Sequence, residues 1–319
     1  MGEYLLKRII QLIPILILAS VVIFTIMHLI PGDPAQVYAG PDATPEALAA
    51  IRKDMGLDQP LFLQYLVWLK HVVLLDFGVS YTSKYPVIQL IQQKAGATFE
   101  LAVAAALLQV TIGMPLGIIA ALNQRRWIDY VISVYNSIVM AVPNFWLGIL
   151  LILLLSVQFR VLPPAGRIEF LPNPAIAWKS LIMPAFSLAL FASASVTRFT
   201  RAAMLEVLSE HYVRTARSKG LKEKVVIIRH ALRNALIPVI TVVGIQFGYL
   251  LGGAVIIETV FAWPGMGRLI MQGIGNRDYT VVQGALILFV TVFVLLNLLI
   301  DLCYAFLDPR IRLSAKKGT

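Results

Sequence analysis

Residues 210–257 read EHYVRTARSKGLKEKVVIIRHALRNALIPVITVVGIQFGYLLGGAVII, and the two halves of this stretch have opposite character. The first half is strongly basic, whereas the half from Asn234 to Ile257 carries no charged side chain. A helix of roughly 20 apolar residues is long enough to cross the hydrocarbon core of a bilayer. The stretch therefore predicts a membrane-spanning helix that follows a solvent-exposed basic loop.

Charge-free runs of this kind recur along the whole chain. Of the 319 residues, 59% are apolar and only 14% are charged. The long windows without any charge are Ile9–Gly32, Leu101–Gln124, Tyr130–Phe159, Ser180–Thr197, Asn234–Ile257 and Tyr279–Ile300. Backbone groups in lipid must find their hydrogen bonds within the segment, which favours helices. We therefore predict an all-α membrane protein with six transmembrane helices.

The distribution of Lys and Arg predicts the orientation of the chain. With the N-terminus inside, seventeen of the 27 Lys and Arg lie on the inner side, nine of them between Arg198 and Arg233. Acidic residues then divide as seven inside and ten outside, so the inner face carries the formal charge of +10. Cytoplasmic loops are enriched in Lys and Arg in this way. We expect both termini in the cytoplasm, and no nucleic-acid partner is needed to explain the charge.

The positions of the spans divide the chain into three predicted parts. Residues 1–30 contain the cytoplasmic N-terminus and the first transmembrane helix, and residues 31–97 form the one sizeable extracytoplasmic segment. Residues 98–319 form a core of five further helices, in which residues 198–234 are the cytoplasmic loop. No low-complexity tract or long linker interrupts this arrangement.

The extracytoplasmic segment contains two predicted helices. Thr44 offers a capping oxygen immediately before Pro45 and an acid, a pattern typical of a helix start. Gly56 can supply the left-handed residue that ends this helix. A second helix is predicted from Pro60 to Leu74, and a loop or short strand follows it before the chain re-enters the membrane.

The motifs of several enzyme classes are missing from the sequence. It holds no His-Glu-x-x-His pair, no Gly-x-Ser-x-Gly turn and no pair of acids inside a span. No glycine is followed by lysine, so the chain lacks the phosphate-binding loop of a P-loop ATPase. The single cysteine, Cys303, excludes a multi-cysteine metal site. We predict a non-enzymatic protein, and if nucleotide drives it, another subunit must bind that nucleotide.

Neutral polar side chains within the spans are candidates for a translocation path. Gradient-driven transporters usually keep acids or bases deep within their helices, whereas the six windows contain none. Asn144, Gln246 and Asn297 could line a polar route between the helices. The same side chains could instead form hydrogen bonds between helices, and the sequence leaves both interpretations open.

The basic loop predicts a compact helical surface. Apolar residues from Met204 to Ala216 recur at steps of three and four, which predicts an amphipathic helix. Gly220 can end that helix with a left-handed turn, and a second short helix is predicted from Glu223 to Leu232. Such a basic surface can lie on anionic lipid or present itself to a cytoplasmic partner, and the pattern alone does not choose between them.

The same loop resembles that of a known family. Tyr212-Val-Arg-Thr-Ala-Arg-Ser-Lys-Gly220-Leu, followed by Arg229-His-Ala-Leu-Arg-Asn-Ala-Leu-Ile-Pro238, is similar to the coupling loop of binding-protein-dependent ABC importer permeases. In particular it resembles the B-type permease of the dipeptide, oligopeptide, glutathione and nickel group. The general family pattern begins Glu-Ala-Ala and has a glycine four residues after the last alanine. Here Arg214-Thr215-Ala216 stand in those places, and the glycine is Gly220.

Further motifs along the chain carry the same resemblance. They are LIPGDPA at Leu29–Ala35, Gly78-x-Ser-Tyr81, ETVFAWPGMG at Glu258–Gly267 and Asp308-Pro-Arg310. The large segment after the first span resembles that of the B-type permease rather than its C-type partner. The resemblance covers nearly the whole chain and implies the type I ABC importer permease fold.

The family resemblance implies a set of partners. These are a paralogous C-type permease that completes a heterodimer, two ABC ATPase subunits, an extracytoplasmic solute-binding protein and the lipid bilayer. ATP and Mg²⁺ would be bound by the ATPases, so that this chain holds no cofactor or metal of its own. The implied location is the plasma or inner membrane of a bacterium or archaeon, and the implied substrate is a di- or oligopeptide, with glutathione, nickel chelates and oligosaccharides as alternatives. The residues expected to form the ATPase-coupling loop are Tyr212, Arg214, Thr215, Ala216, Arg217, Lys219, Gly220 and Leu221.

Two other classes of function are compatible with parts of the sequence. A gradient-driven carrier or channel, whose basic loop only binds lipid, would transport its substrate without ATP. A membrane scaffold would transport nothing. The charge-free spans argue against the carrier, and the ordered family motifs argue against the scaffold.

Overall fold

The computed structural model describes residues 2–29, 33–40 and 42–307, so the motif residues Ile30–Gly32 and Asp308–Arg310 lie outside the described part of the chain. The α-helices within the described residues are α1 (Gly2–Leu29), α2 (Pro34–Ala39), α3 (Pro45–Asp54), α4 (Leu61–Val73), α5 (Val87–Leu122), α6 (Trp127–Ala141), α7 (Asn144–Leu151), α8 (Pro174–Ser209), α9 (His211–Ser218), α10 (Glu223–Val225), α11 (Arg233–Val260), α12 (Met266–Gly275) and α13 (Tyr279–Leu307). Two π-helical segments, Ile152–Gln158 and Val226–Leu232, continue α7 and α10. The predicted all-α class is confirmed.

Five of the six predicted spans are helices long and apolar enough to cross a membrane, counted over the described residues. The predicted span Tyr130–Phe159 is instead broken, because α6 and the α7 segment are bent by 97° against each other. The break lies at Val142 and Pro143, which both have extended backbone. Proline has no N–H to donate and disfavours the helical conformation in the residue before it. The count of six spans holds when the bent pair is taken as one.

The helices extend beyond the charge-free windows. α5 begins at Val87 and passes through Lys94 and Glu100, while α8 covers Pro174–Ser209 and includes several charged residues. A charged residue ends a charge-free window, but it does not end a helix, since long side chains can carry their charge to water. The windows therefore located the apolar helices, and they underestimated the lengths of α5 and α8.

The two helices predicted between the first and second spans begin and end close to their predicted positions. The hydroxyl of Thr44 accepts a hydrogen bond from the Ala47 N–H at 3.3 Å and caps α3, and Gly56 follows with φ +67°. α4 begins one residue after Pro60. The short helix α2 was not predicted, and its start is capped by Asp33, whose carboxylate accepts the Ala35 N–H at 3.1 Å. The helix α12 was not predicted either.

The first of two compact units contains residues 99–263 and continues from Leu296. Its central element is α8, because 78% of the most apolar window of this helix is buried, against 17–33% for the other four candidate spans. The apolar core joins Val196 and Met204 of α8 to Ala235 and Val239 of α11. This core positions the segment between α8 and α11, where the predicted coupling loop lies.

The second unit contains residues 2–98 and 264–295. Its apolar core includes Phe77, Ile91 and Ile270. At the start of α13, the buried carboxylate of Asp278 accepts hydrogen bonds from the Ser80 hydroxyl at 2.6 Å and from the Thr82 N–H at 3.1 Å. This carboxylate therefore ties the loop after α4 to α13.

Candidate functional site

The predicted coupling loop folds as a helical projection, which we call the knob and define as residues 210–232. α8 ends at Ser209, and Glu210 adopts an extended backbone before α9 begins at His211. The single amphipathic helix predicted from Met204 to Ala216 is therefore two helices. The break at Glu210 turns α9 so that its apolar side chains pack back against the end of α8.

Gly220 ends α9 in the way that the sequence predicts. Its φ of +76° lies in the left-handed region, which favours glycine. The Gly220 N–H donates to the Arg217 carbonyl at 2.9 Å, and the Leu221 N–H donates to the Ala216 carbonyl at 3.4 Å. These two bonds form a Schellman motif, which satisfies the carbonyls at a helix end. The backbone of the turn is thus fixed.

The interior of the knob is a small apolar cluster. Val213, Ala216 and Val226 are buried, and Val207 and Leu208 of α8 pack against them. Ala216 was expected within the coupling loop, and its side chain points into this cluster rather than towards a partner. Its small size lets α9 lie close to the rest of the knob, so it supports the surface instead of forming it.

An ion pair braces the turn at Gly220. Arg217 donates to the Glu223 carboxylate from Nε at 3.2 Å and from Nη2 at 2.7 Å. These hydrogen bonds raise the pKa of the Arg217 guanidinium above its usual value. Arg217 was expected to form polar contacts around the knob, and its guanidinium binds the Glu223 carboxylate at the start of α10. Such a two-bond pair holds the two groups in a fixed orientation.

Tyr212 connects α9 to the start of α11. Its hydroxyl accepts a hydrogen bond from the Asn234 side-chain amide at 2.7 Å and donates to the His230 carbonyl at 3.4 Å. Asn234 also donates to that carbonyl at 3.3 Å. The knob is therefore tied to the membrane helix that follows it, as well as to α8.

The remaining predicted coupling residues form the outer surface of the knob. Arg214, Thr215, Lys219 and Leu221 are all exposed. The Thr215 hydroxyl donates to the His211 carbonyl at 3.0 Å within α9. The exposed surface around Gly220 thus consists of the cations Arg214 and Lys219, the hydroxyl-bearing Thr215 and the apolar Leu221.

Glu223 and Asn234 organise the knob and were not among the predicted site residues. Glu223 carried a weak signal, because an acid in the first turn of a helix after a glycine is a common helix start. Its pairing with Arg217, six residues earlier, depends on the turn at Gly220 and has no signature in sequence spacing. Asn234 opens a charge-free window, which made it look like part of the membrane span alone.

The predicted path residues Asn144 and Gln246 lie towards the same face of α11. Asn144 begins α7 just after the bend, and its amide nitrogen is 3.8 Å from the position that a Cβ would take on Gly253. Gln246 is buried and precedes Gly253 by seven residues, about two helical turns, so the two positions share a face. These two polar side chains are thus compatible with one route along α7 and α11.

The third predicted path residue is Asn297. It is half-buried on α13 and precedes Ile300 by one turn, and Ile300 packs against Gly244 of α11. Gly244 is two residues from Gln246, which is about 200° around the helix. The contact of Ile300 thus lies on the side of α11 away from Gln246, and a role of Asn297 in the path stays a prediction.

The second unit holds a cavity of about 780 Å³ between the C-terminal end of α1, the α3–α4 connection and the start of α13. Phe24 and Trp68 supply aromatic walls, and the Tyr279 hydroxyl is buried without a hydrogen-bond partner among the described residues. Arg52 donates to Asp33 from Nε at 3.1 Å and from Nη2 at 2.6 Å on the same rim. Among the described residues, no group of three or more His, Cys, Asp or Glu is placed to hold a metal ion.

Comparison with known proteins gives concordant matches over the whole chain. The family described as "Binding-protein-dependent transport system inner membrane component" matches residues 113–313, and the family of the N-terminal part of such components matches residues 1–102. The glutathione transport system permease protein GsiC of Salmonella choleraesuis (strain SC-B67) is 42% identical over 312 residues, which cover 98% of this chain and 99% of the relative. GsiC of Escherichia coli (strain K12) has the same identity and coverage.

Solved structures share the fold at low sequence identity. A structure of the MetNI methionine ABC transporter in an inward-facing conformation aligns with a TM-score of 0.56 at 17% identity. The alignment covers 69% of this chain and 97% of the other. At this identity the likeness concerns the fold alone.

Proposed function

Because this chain belongs to the family of binding-protein-dependent transport system inner membrane components, we propose that it forms the translocation path for di- and oligopeptides in an ATP-driven importer. As a member of that family it is a permease subunit of an ABC importer and a non-catalytic, multi-pass component of a bacterial inner membrane. The proposal adds the substrate class, the residues that couple to the ATPases and the identity of the partners.

The observation that carries the coupling proposal is the braced turn at Gly220. Arg214, Thr215, Lys219 and Leu221 are exposed around it. In the proposal this surface seats in a cleft of one ATPase subunit, which binds ATP and Mg²⁺. Closure of the ATPases then moves the knob as one body, because its backbone turn, apolar interior and ion pair leave it little freedom to deform.

The proposed partners follow from the type of permease. A paralogous C-type permease completes a heterodimer, two ATPases bind on the side of the knob, and a solute-binding protein delivers substrate on the opposite side. The charge distribution supports cytoplasmic termini, with the inner face carrying the formal charge of +10. The outer segment, residues 31–97, then lies where it can contact the binding protein or shape the outer gate.

The proposed substrate is a small peptide. The relatives named above are permeases of glutathione transport systems, and glutathione is itself a tripeptide, so it is the first alternative to a di- or oligopeptide. Asn144 and Gln246 offer neutral amide groups, which can exchange hydrogen bonds with a peptide backbone of any sequence. Most of the selectivity would then belong to the binding protein.

Reconstitution of the complete importer tests this function. The chain is co-expressed with the second permease, the ATPases and the binding protein encoded beside it, and the complex is placed in proteoliposomes. We expect uptake of labelled di- or tripeptide only when the binding protein and ATP are both present. Uptake by this chain alone, without ATP, would identify a carrier or channel instead. If ATP drives uptake of another solute and no uptake of peptides, the proposed substrate class is wrong, while the proposed coupling to the ATPases is still supported.

A further inference from the structure

An ion pair with a buried carboxylate and a partly exposed guanidinium joins α6 to α8 near the knob. Arg201 donates to the Asp129 carboxylate from Nε at 2.6 Å and from Nη2 at 2.8 Å. The Asp129 side chain is only 6% exposed, whereas that of Arg201 is 33% exposed. The same carboxylate also accepts the Arg125 N–H at 3.0 Å and so closes the turn between α5 and α6. The Asp129 carboxylate thus binds both the turn between α5 and α6 and the Arg201 side chain of α8.

Stability alone is a weak explanation for this pair. Replacing a buried ion pair by apolar side chains is often neutral or stabilising, because the charges lose their hydration. What a two-bond guanidinium–carboxylate pair supplies is a defined orientation between the groups it joins. Asp129 and Arg201 hold two helices in register across a separation of 72 residues in the chain.

The position of Arg201 connects this pair to the knob. α8 continues from Arg201 to Ser209 without a break, and Val207 and Leu208 in that last part pack against the apolar interior of the knob. Eight helical residues span about 12 Å. A displacement of the knob therefore reaches Arg201 through a short, continuous piece of helix.

The position of Asp129 connects the pair to the broken span. α6 leads from Asp129 to the bend at Pro143, after which α7 begins. α7 also contacts α8, because the Cβ position of Gly148 lies 3.6 Å from the Ser187 hydroxyl. α8 thus contacts both arms of the bend, and at the arm nearer the knob the contact includes this directional ion pair.

We propose that the Asp129–Arg201 pair is a positioning link that passes movement of the knob from α8 to α6 and so to the bend at Pro143. This inference rests on the proposed coupling function. Neither residue contacts substrate in this role. The pair stays closed through the cycle and makes the inner parts of α6 and α8 move as one body, so that the bend before Asn144 takes up the change.

The test separates coupling from folding. Asp129→Asn keeps the shape and an oxygen for the Arg125 N–H, but it removes the charge that holds Arg201. In the reconstituted importer we expect ATP-driven uptake per assembled complex to fall by about tenfold, with loss of the stimulation of ATPase activity by loaded binding protein. The exchange variant Asp129→Arg with Arg201→Asp should recover part of both.

A control is the Glu100–Arg167 pair, which also joins a guanidinium to a carboxylate but through a single carboxylate oxygen, Oε2. Arg167 donates to Glu100 from Nη2 at 2.7 Å and from Nε at 3.0 Å, and both side chains are mostly buried. Glu100→Gln should lower the amount of folded complex without changing uptake per complex. Equal loss of uptake in the two variants, or normal uptake in Asp129→Asn, would overturn the link. Absence of ATP-driven uptake in the unmodified complex would instead count against the proposed function.

A distance measurement tests the link in the purified chain without its partners. Spin labels at Tyr130 on α6 and Ala202 on α8 are placed on exposed positions, with Cys303→Ser as background. We expect one narrow distance distribution with Asp129 present and a broadened or shifted one in Asp129→Asn. An unchanged distribution would overturn the proposal even if the importer could not be assembled.

Discussion

Arg217 and Glu223 join the two sides of the turn at Gly220 through two parallel hydrogen bonds of 3.2 and 2.7 Å. Both side chains are partly exposed, at 41% and 56%. An ion pair in such a position contributes little to stability, because water screens it. Its effect lies in the angle between α9 and α10, and hence in the shape of the surface that the knob presents.

Glu223→Gln should therefore weaken coupling more than stability. We expect the free energy of unfolding to fall by less than about 1 kcal/mol, while ATP-driven uptake falls several-fold because the knob loses its fixed shape. Thermal unfolding in detergent and uptake in proteoliposomes measure the two effects. Lys224→Gln is the control, since it removes a neighbouring exposed charge that makes no ion pair with any described residue. Equal behaviour of the two variants would contradict the role given to Glu223.

Substitution of Gly220 should abolish transport and leave membrane insertion intact. The φ of +76° cannot be adopted by proline, and a β-branched residue there is strained by roughly 1–2 kcal/mol. A Cβ at this position would meet no atom within 4 Å, so the effect comes from the backbone and not from a clash. Uptake assays and quantification of the protein in membranes measure the two outcomes for Gly220→Pro and Gly220→Val.

Gly166 offers a matched control for the backbone strain. It has φ +90°, and a Cβ there also meets nothing within 4 Å, but it lies outside the knob. Gly166→Ala should cost about as much stability as Gly220→Ala and leave uptake per complex unchanged. If both alanine variants lose uptake equally, strain in general rather than the knob is responsible.

The approach of α5 to α8 depends on glycine. A Cβ on Gly117 would lie 2.6 Å from the Thr197 carbonyl oxygen, which belongs to the backbone of α8 and cannot rotate away. We expect Gly117→Ala to force the helices apart and to lower the free energy of unfolding by about 1–3 kcal/mol. On α11, Gly252→Ala meets no atom within 4 Å and should be tolerated. Melting curves of the purified variants compare the two, and a neutral Gly117→Ala would contradict the close packing.

The features that depend on local sequence were predictable. Charge-free windows located the spans, because the cost of burying a charge in lipid acts on each residue separately. Thr44 and Gly56 marked the ends of α3, and Gly220 marked the end of α9, since capping and left-handed turns use the chemistry of a few adjacent residues. These signals are short in range and need no knowledge of the fold.

The features that depend on contacts between distant residues were not predictable. Asp129 and Arg201 are 72 residues apart, and each looked like an ordinary charge near a span end. The apolar spacing placed Ala216 on the buried face of a predicted helix, but its neighbours in the cluster, Val226 among them, depend on how α9 packs on α8. The bend at Pro143 was hidden because proline within an apolar run can either kink a span or break it, depending on neighbouring helices.

The buried carboxylate of Asp278 predicts a dependence of stability on pH. Burial raises the pKa of this group, but the hydrogen bonds from the Ser80 hydroxyl and the Thr82 backbone outweigh burial, and the pKa lies below its usual value. A carboxyl group whose pKa is lowered by folding stabilises the folded state above its unfolded pKa, and this contribution is lost as the pH falls through the folded pKa. The loss should therefore begin below about pH 4, near the ordinary pKa of aspartate.

Asp278→Asn isolates this contribution. At pH 7 we expect the variant to be about 1–3 kcal/mol less stable than the unmodified chain, because the Ser80 hydroxyl and the Thr82 N–H lose a charged acceptor. The difference should shrink as the pH falls below about 4, since the unmodified chain then becomes protonated at the same position. Asp76→Asn is the control, because Asp76 also has a lowered pKa, caused first by the Gly78 N–H, but its side chain is exposed. Melting temperatures of the three proteins between pH 7 and pH 3 measure the effect, and a constant difference between the Asp278 variant and the unmodified chain would show that the carboxylate charge contributes nothing.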